Sequence, residues 1–213
     1  MLKVKNLTHE YADFIIDGMS PSEMVDMLME VNGASYKSAI GIVNDTIGDN
    51  YVVIGAWAVS YYTTPRATAD IDLMIRKGYY EKLIDRFRTS GAVINEYSST
   101  AAQVIYGKVN LHLLEIMPEQ HFLLDNKVAD KLGDEKIYYL EKNNLIAVKI
   151  SSIMSPDRSA IQTKQDELDM MKLMEKDTDI KSKHNIDRIK ETLMKLGASS
   201  DYAEKLIGEF ILK

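Results

Sequence analysis

Apolar residues along this chain recur with two different periods. In the middle they form short, strand-length runs: "YVVI" (51–54), "DIDLMI" (70–75), "AVINEY" (92–97), "AQVIYG" (102–107), "KVNLHLLEI" (108–116) and "EKIYYL" (135–140). Runs this short, rich in Val, Ile and Tyr, predict strands. Elsewhere the spacing is helical. "SPSEMVDMLMEV" (20–31) begins like a capped helix, with Ser20 as N-cap, Pro21 in the first turn and Glu23 closing a capping box. "SYKSAIGIVNDTIG" predicts a second helix ending at Gly48, and "YYEKLIDRFRTSG" a third stopped by Gly91. "AWAVSYY" (56–62) reads as a short helix between two strands. After Pro118 helices take over: "NNLIAVKISSIM", "DRSAIQTKQDELDMMKLMEK", "NIDRIKETLMKLG" and "DYAEKLIGEFIL". In the third of these, Ile186, Ile189, Leu193 and Leu196 share one face. Strands in the middle with helices on either side predict an α+β (α/β) fold with a mixed central sheet, flanking helices and a C-terminal helical part.

Composition narrows the classes. Of the 213 residues 46% are apolar, enough for a substantial core. The chain has no cysteine, which excludes disulfides, thiolate metal sites and a Cys nucleophile. The segment "MLKVKNLTHEYADF" has no long apolar region, and no run reaches membrane-spanning length, so a cytoplasmic protein without a membrane role is expected. A net charge of −6 argues against a surface built for nucleic acid. A local basic patch around Arg76, Lys77, Arg86 and Arg88 is compatible with that balance, as is a plain solvated helix face.

The chemistry concentrates in "VVIGAWAVSYYTTPRATADIDLMI" (52–75). Asp70 and Asp72 lie one strand repeat apart, so they point the same way, while Ile71 and Leu73 point into the core. Two adjacent carboxylates repel unless a cation lies between them, and a hard divalent ion meets that need. Gly55 separates a strand from a helix, where the chain can turn sharply and a ligand can approach closely. The helix start beyond it offers N–H groups suited to phosphate, and Arg66 adds a fixed cation. Each element has a plainer reading. Gly55 serves many turns, Asp-x-Asp is often a wet strand end, Arg66 would pair with any carboxylate, and Trp57 packs helices more often than it stacks on bases. Their order within one short stretch fits metal-assisted phosphoryl or nucleotidyl transfer.

The same stretch resembles the signature of the polymerase-β-type nucleotidyltransferase superfamily, in which a strand, a Gly-containing turn and a short helix lead to a strand bearing two aspartates. The Gly-x-Trp-Ala-Val and Arg-x-Thr-x-Asp-h-Asp variant is similar to small antibiotic nucleotidyltransferases and to AbiEii-type toxin nucleotidyltransferases. "NNLIAVKI" and "KQDELDMMKLM" resemble helices that follow in the AbiEii-type branch. The resemblance implies that Gly55 and Ala56 form the turn over nucleotide phosphates. It further implies that Asp70 and Asp72 hold Mg²⁺ (or Mn²⁺), that Arg66 steadies phosphates or the acidic cluster, and that Lys149 reaches the triphosphate. Ala56 replaces the usual second Gly or Ser.

One position departs from the pattern. The family usually carries a third carboxylate on a neighbouring strand, and the candidate strand here is "KVNLHLLEI". Val109, Leu111 and Leu113 form its apolar face, and Asn110 and His112 share the other. "HLL" stands where "DLL" is expected, and Glu115 falls on the apolar face unless a bulge shifts it. His112 is then a general base, or the site binds nucleotide without turnover, or His112 is a strand-end hydrogen-bonding residue.

The expectation is therefore N-terminal helices over 1–49, a nucleotidyltransferase core over 50–141 and a helical region over 142–213. An NMP would pass from an NTP to an acceptor hydroxyl of a tRNA, a protein or a small molecule. The alternative is a catalytically degenerate nucleotide-binding or interaction module, one half of a toxin–antitoxin pair with a cognate protein partner.

Overall fold

A computed structural model describes residues 36–63, 68, 70–175 and 179–212. The expected helix at 20–31 and Arg66 lie outside the described residues. The first described helix is α1 (Tyr36–Ile47), followed by β1 (Tyr51–Ile54), α2 (Gly55–Tyr62), β2 (Asp70–Arg76) and α3 (Tyr80–Thr89). Three strands follow: β3 (Val93–Ser98), β4 (Ala101–Tyr106) and β5 (Val109–Ile116). A short 3₁₀ turn (Pro118–Gln120) leads to α4 (Phe122–Asp125), β6 (Lys127–Leu132) and β7 (Glu135–Leu140). The chain then runs through α5 (Lys142–Ile153), α6 (Ala160–Glu175), α7 (Lys183–Lys195) and α8 (Ser200–Phe210).

The seven strands form one sheet in the order β3-β4-β5-β2-β1-β7-β6. It is mixed, as the expected α+β (α/β) class requires. The β2–β5 and β1–β7 pairs are parallel, and the other neighbours are antiparallel. The pairing brings one end of the sheet together chemically. β1 leaves the sheet at Ile54, opposite Asp72 in β2, and Asp72 lies opposite His112 in β5. An antiparallel partner ends where β2 begins, and a parallel partner begins beside it. The exit into α2 and the entries of β2 and β5 thus share one rim.

Alternation along β2 and β5 works as the sequence implies. Ile71, Leu73, Leu111 and Leu113 are buried in a continuous core, while Asp70, Asp72, Asn110 and His112 lie on the opposite face. Trp57 is buried on the inner side of α2 and its ring packs at 5.0 Å from that of Tyr36, the packing role its helix suggested. One strand, β6, is absent from the sequence-based expectation. Its sequence "KVADKL" is half charged, follows no period of two and carries no long apolar run. It is an edge strand, where lysine and aspartate discourage pairing with another chain, so the features that protect the edge also hide the strand.

Beyond the sheet, α5 packs against α6 and α7, and α7 against α8. Glu141 caps α5 by accepting from the backbone N–H groups of Asn143 and Asn144. Ser182 and Ser199 cap α7 and α8 in the same way. No helix among the described residues is long and apolar enough to cross a membrane.

Candidate functional site

The site begins with Gly55. Its φ is +64°, a left-handed conformation that a side chain disfavours. A Cβ built there would lie 1.9 Å from Asp72 Oδ2 and 2.9 Å from Asp72 Cγ. The close approach that sequence analysis assigned to a ligand is therefore made first by the protein itself. The backbone at Gly55 lies directly against the Asp72 carboxylate, and only glycine leaves room for it. Gly55 also opens α2, whose N-cap Ile54 supplies no side-chain acceptor. The first-turn N–H groups of α2, including that of Ala56, thus start beside a carboxylate rather than under a side-chain cap.

Asp70 and Asp72 stand on the same face of β2 with side chains about one-third exposed, 30% and 33%. Half-burial at a strand start keeps these charges partly hydrated while fixing their position. His112 faces them from β5. Its Nδ1 lies 3.1 Å from Asp72 Oδ1 and 3.3 Å from Asp70 Oδ2. With both aspartates ionised, Nδ1 must carry the hydrogen, because carboxylates only accept. The hydrogen bond to Asp72 holds the imidazole above its usual pKa, against an opposing effect of burial, with the charges of Asp72 and Asp70 adding to the rise. Burial raises the Asp70 carboxyl, and His112 pulls it back down while Asp72 pushes it further up.

These three residues offer donor atoms that all lie within 4.8 Å of one another. Two carboxylate oxygens and an imidazole nitrogen on one side, open on the other, are a donor set suited to a divalent cation. The structure brings Asp70, Asp72, His112 and Gly55 together. Lys149 stands elsewhere. It is buried on α5, and its ammonium is bound by Asp166 at 2.7 Å and Asp169 at 2.9 Å, both buried on α6. Arg158 Nε donates to the other oxygen of Asp166 at 2.9 Å. A reach to the triphosphate would require Lys149 to leave two buried carboxylates. Glu115 is removed from the site altogether, at the far end of β5, where it accepts from the backbone N–H of Gly78 at 2.8 Å. No bulge brings it round to the aspartates, since β2 and β5 stay in register from Asp70–Asn110 to Arg76–Ile116.

Sequence reasoning did not reach the residues that extend this face across the sheet. Gln103 of β4 lies opposite His112, and its amide hydrogen-bonds Asn110 at 3.4 Å and Asn95 of β3 at 3.0 Å. The exposed Tyr97 ring stands edge-on to His112 with centroids 6.5 Å apart. Period-two alternation in "VINEYS" and "AAQVIY" puts Asn95 with Tyr97 and isolates Gln103, but only the strand order reveals that they neighbour His112. The basic patch is partly spent internally. Arg76 pairs with Asp125 at 2.7 Å, and Arg88 with Asp85 at 2.8 Å and Glu96 at 2.7 Å.

No family model and no curated protein sequence matches the chain. Among solved structures it is similar to the antibiotic-resistance factor ANT(2'')-Ia in solution, at 11% identity and a TM-score of 0.44, over 81% of this chain and 97% of that one. It is also similar to an antigenic nucleotidyltransferase-like protein from Paracoccidioides brasiliensis, at 13% identity and a TM-score of 0.49, over 83% and 96% of the two chains. A third is ANT(2'')-Ia in complex with adenylyl-2''-tobramycin, at 13% identity and a TM-score of 0.42, over 81% and 97%.

Proposed function

We propose that this protein is a metal-dependent nucleotidyltransferase of the polymerase-β-type superfamily, moving an NMP from an NTP to an acceptor hydroxyl. The observation that carries the reading is the Asp70–Asp72 pair beside the start of α2, with Gly55 holding the backbone against Asp72. Asp70, Asp72 and His112 would hold the divalent cation. When bound, the cation neutralises phosphate charge and polarises the phosphorus under attack. The chain's own residues do the rest. The N-terminal end of α2 receives phosphate oxygens through Gly55 and Ala56, and Arg66, outside the described residues, is assigned to the same phosphates. The acceptor oxygen bonds to the α-phosphorus as the bond to the bridging α–β oxygen breaks, and pyrophosphate leaves. The acceptor's proton passes to an oxygen of the Asp70–Asp72 pair that the cation would leave free.

The acceptor is assigned to the face that β3, β4 and β5 extend beyond His112, which carries the neutral groups Asn95, Gln103, Asn110 and Tyr97. With a net charge of −6 and Arg76 and Arg88 already paired, this supports a small polar molecule or a protein hydroxyl more than a tRNA. The second reading, nucleotide binding without turnover, is favoured by one specific observation: an imidazole stands where a third carboxylate would.

Incubation with each labelled NTP, a divalent cation and cell extract, followed by separation of proteins, RNA and small molecules, tests the transfer and identifies the acceptor. Calorimetry tests the site directly. NTP affinity should depend on the divalent ion and fall by at least about 10-fold in the Asp70→Asn/Asp72→Asn double variant. Metal-independent NTP binding that survives in that variant would overturn the assignment.

A further inference from the structure

We propose that His112 is a metal ligand through Nδ1 and that it sets this site to prefer a transition-metal divalent ion over Mg²⁺. The inference rests on the metal-dependent reading above and specifies its ion.

Ligand atoms about 2.1 Å from one divalent ion sit about 3.0 Å apart when neighbouring in an octahedron and about 3.4 Å apart in a tetrahedron. His112 Nδ1 is 3.1 Å from Asp72 Oδ1 and 3.3 Å from Asp70 Oδ2. Both separations from Nδ1 already match edges of one coordination polyhedron, and all three side chains offer donor atoms within 4.8 Å of one another, so an ion that displaces the Nδ1 hydrogen would meet the ring and both carboxylates. Two features fix that spacing. β2 and β5 pair in register on either side of Asp72 and His112, so the ring cannot drift along the strand. The backbone of Gly55 closes the other side of Asp72. The three donor side chains are each about one-third exposed, which leaves positions for phosphate oxygens.

The chemistry of the donors then selects the ion. Mg²⁺ demands oxygen ligands and gives up water reluctantly, so exchanging a carboxylate for an imidazole weakens it. Mn²⁺, Co²⁺ and Zn²⁺ accept imidazole nitrogen readily, and for a given nitrogen-containing site affinity rises from Mn²⁺ to Co²⁺. The exchange of a third carboxylate for His112 also lowers the negative charge of the donor set from three to two. That loss costs most for an ion held by charge alone. By these terms the departure at position 112 is a change of metal rather than a loss of the site.

The test uses the full chain without nucleotide. Mn²⁺ binding is read from loss of the free-ion EPR signal, Co²⁺ binding from its visible absorption, and Mg²⁺ by competition against both. Mn²⁺ should bind at least about 10-fold tighter than Mg²⁺, and Co²⁺ tighter again. His112→Asp, which supplies three oxygens, should shrink the Co²⁺-over-Mg²⁺ preference by about 10-fold or more. A measurement on the unaltered chain removes dependence on that variant's folding. With Zn²⁺ added, ¹⁵N spectra of the ring should show coordination at Nδ1 of His112 and a retained proton at Nε2. A metal-bound chain with an unshifted His112 Nδ1, or a Co²⁺-over-Mg²⁺ preference left unchanged by His112→Asp, would overturn the inference. If Mg²⁺-dependent NTP binding persists in either case, only the role of His112 falls. If no divalent ion binds with or without NTP, the nucleotidyltransferase reading falls with it.

Discussion

At the scale of single residues, Gly55 and His112 are the two positions where geometry leaves least choice. A side chain at Gly55 meets Asp72 and adopts a left-handed φ, so stability and site are damaged by the same atom. The conformational cost of a left-handed non-glycine residue is about 1–3 kcal/mol, before any movement of Asp72. Gly55→Ala should therefore lower the melting temperature by roughly 3–10 °C and, in the folded protein, weaken metal-dependent NTP binding by at least about 10-fold. Differential scanning fluorimetry and calorimetry on one preparation would check both, and a stable variant with unchanged NTP affinity would contradict the placement. His112 makes a pH prediction. Its hydrogen bond to Asp72, with the charges of Asp72 and Asp70, raises its pKa in the fold. The raised value means that the folded state holds the proton more tightly than the unfolded chain. The stabilisation is fully present below about pH 6.5 and is lost as pH rises through the folded value. Asp70, raised mainly by burial, acts in the same sense at lower pH. NMR titration of the metal-free chain should place the His112 midpoint above that of a free histidine, and Asp72→Asn should bring it down.

At the scale of elements, the C-terminal helices are joined by a buried charge cluster. Lys149 on α5 is held between Asp166 and Asp169 on α6, and Arg158 completes the charge balance at Asp166. Removing one partner of a buried ion pair leaves an uncompensated charge, which costs about 3–5 kcal/mol. Lys149→Met should lower unfolding free energy by that order in urea denaturation. A triple change adding Asp166→Asn and Asp169→Asn should recover part of it, because no bare carboxylate then remains buried. A fully stable Lys149→Met variant with reduced NTP affinity would instead point to the phosphate role that the sequence resemblance implied. The caps of these helices at Glu141, Ser182 and Ser199 are the kind of local feature that makes helix starts readable.

At the scale of the whole molecule, the edge strands of the sheet among the described residues are β3 and β6. β6 carries Lys127, Asp130 and Lys131 among small apolar groups. Lys127 also pairs with Asp49 at 3.0 Å and lies over the Tyr138 ring at 4.8 Å, tying the edge to its neighbours. Replacing the outer charges, Asp130→Val with Lys131→Val, should convert this edge into a pairing surface. Size-exclusion chromatography with light scattering should then show concentration-dependent association beyond that of the unaltered chain. An unchanged elution profile up to high concentration would show that the charges of β6 do not guard the edge.

Local pattern was enough for the strands and helices with strong periodicity, because burying one face requires apolar residues at fixed intervals whatever the tertiary context. It also paired Asp70 with Asp72 and put His112 with Asn110, since alternation along a strand is a local property. β6 escaped because an edge strand owes its pairing to β7 and not to an apolar run of its own. Strand order is nonlocal, and it alone set β5 beside β2 in register, bringing His112 to within 3.3 Å of both aspartates across about forty residues of sequence. The same holds for Gly55, whose need for glycine comes from the Asp72 carboxylate on the next strand. It holds for Lys149, whose helix could be read from sequence but whose partners come from a helix that folds back against it. For every element with a period of its own, residue order alone settles which groups share a face. Only the tertiary structure decided which faces meet, because that depends on contacts between segments whose separation along the chain carries no record of their distance in space.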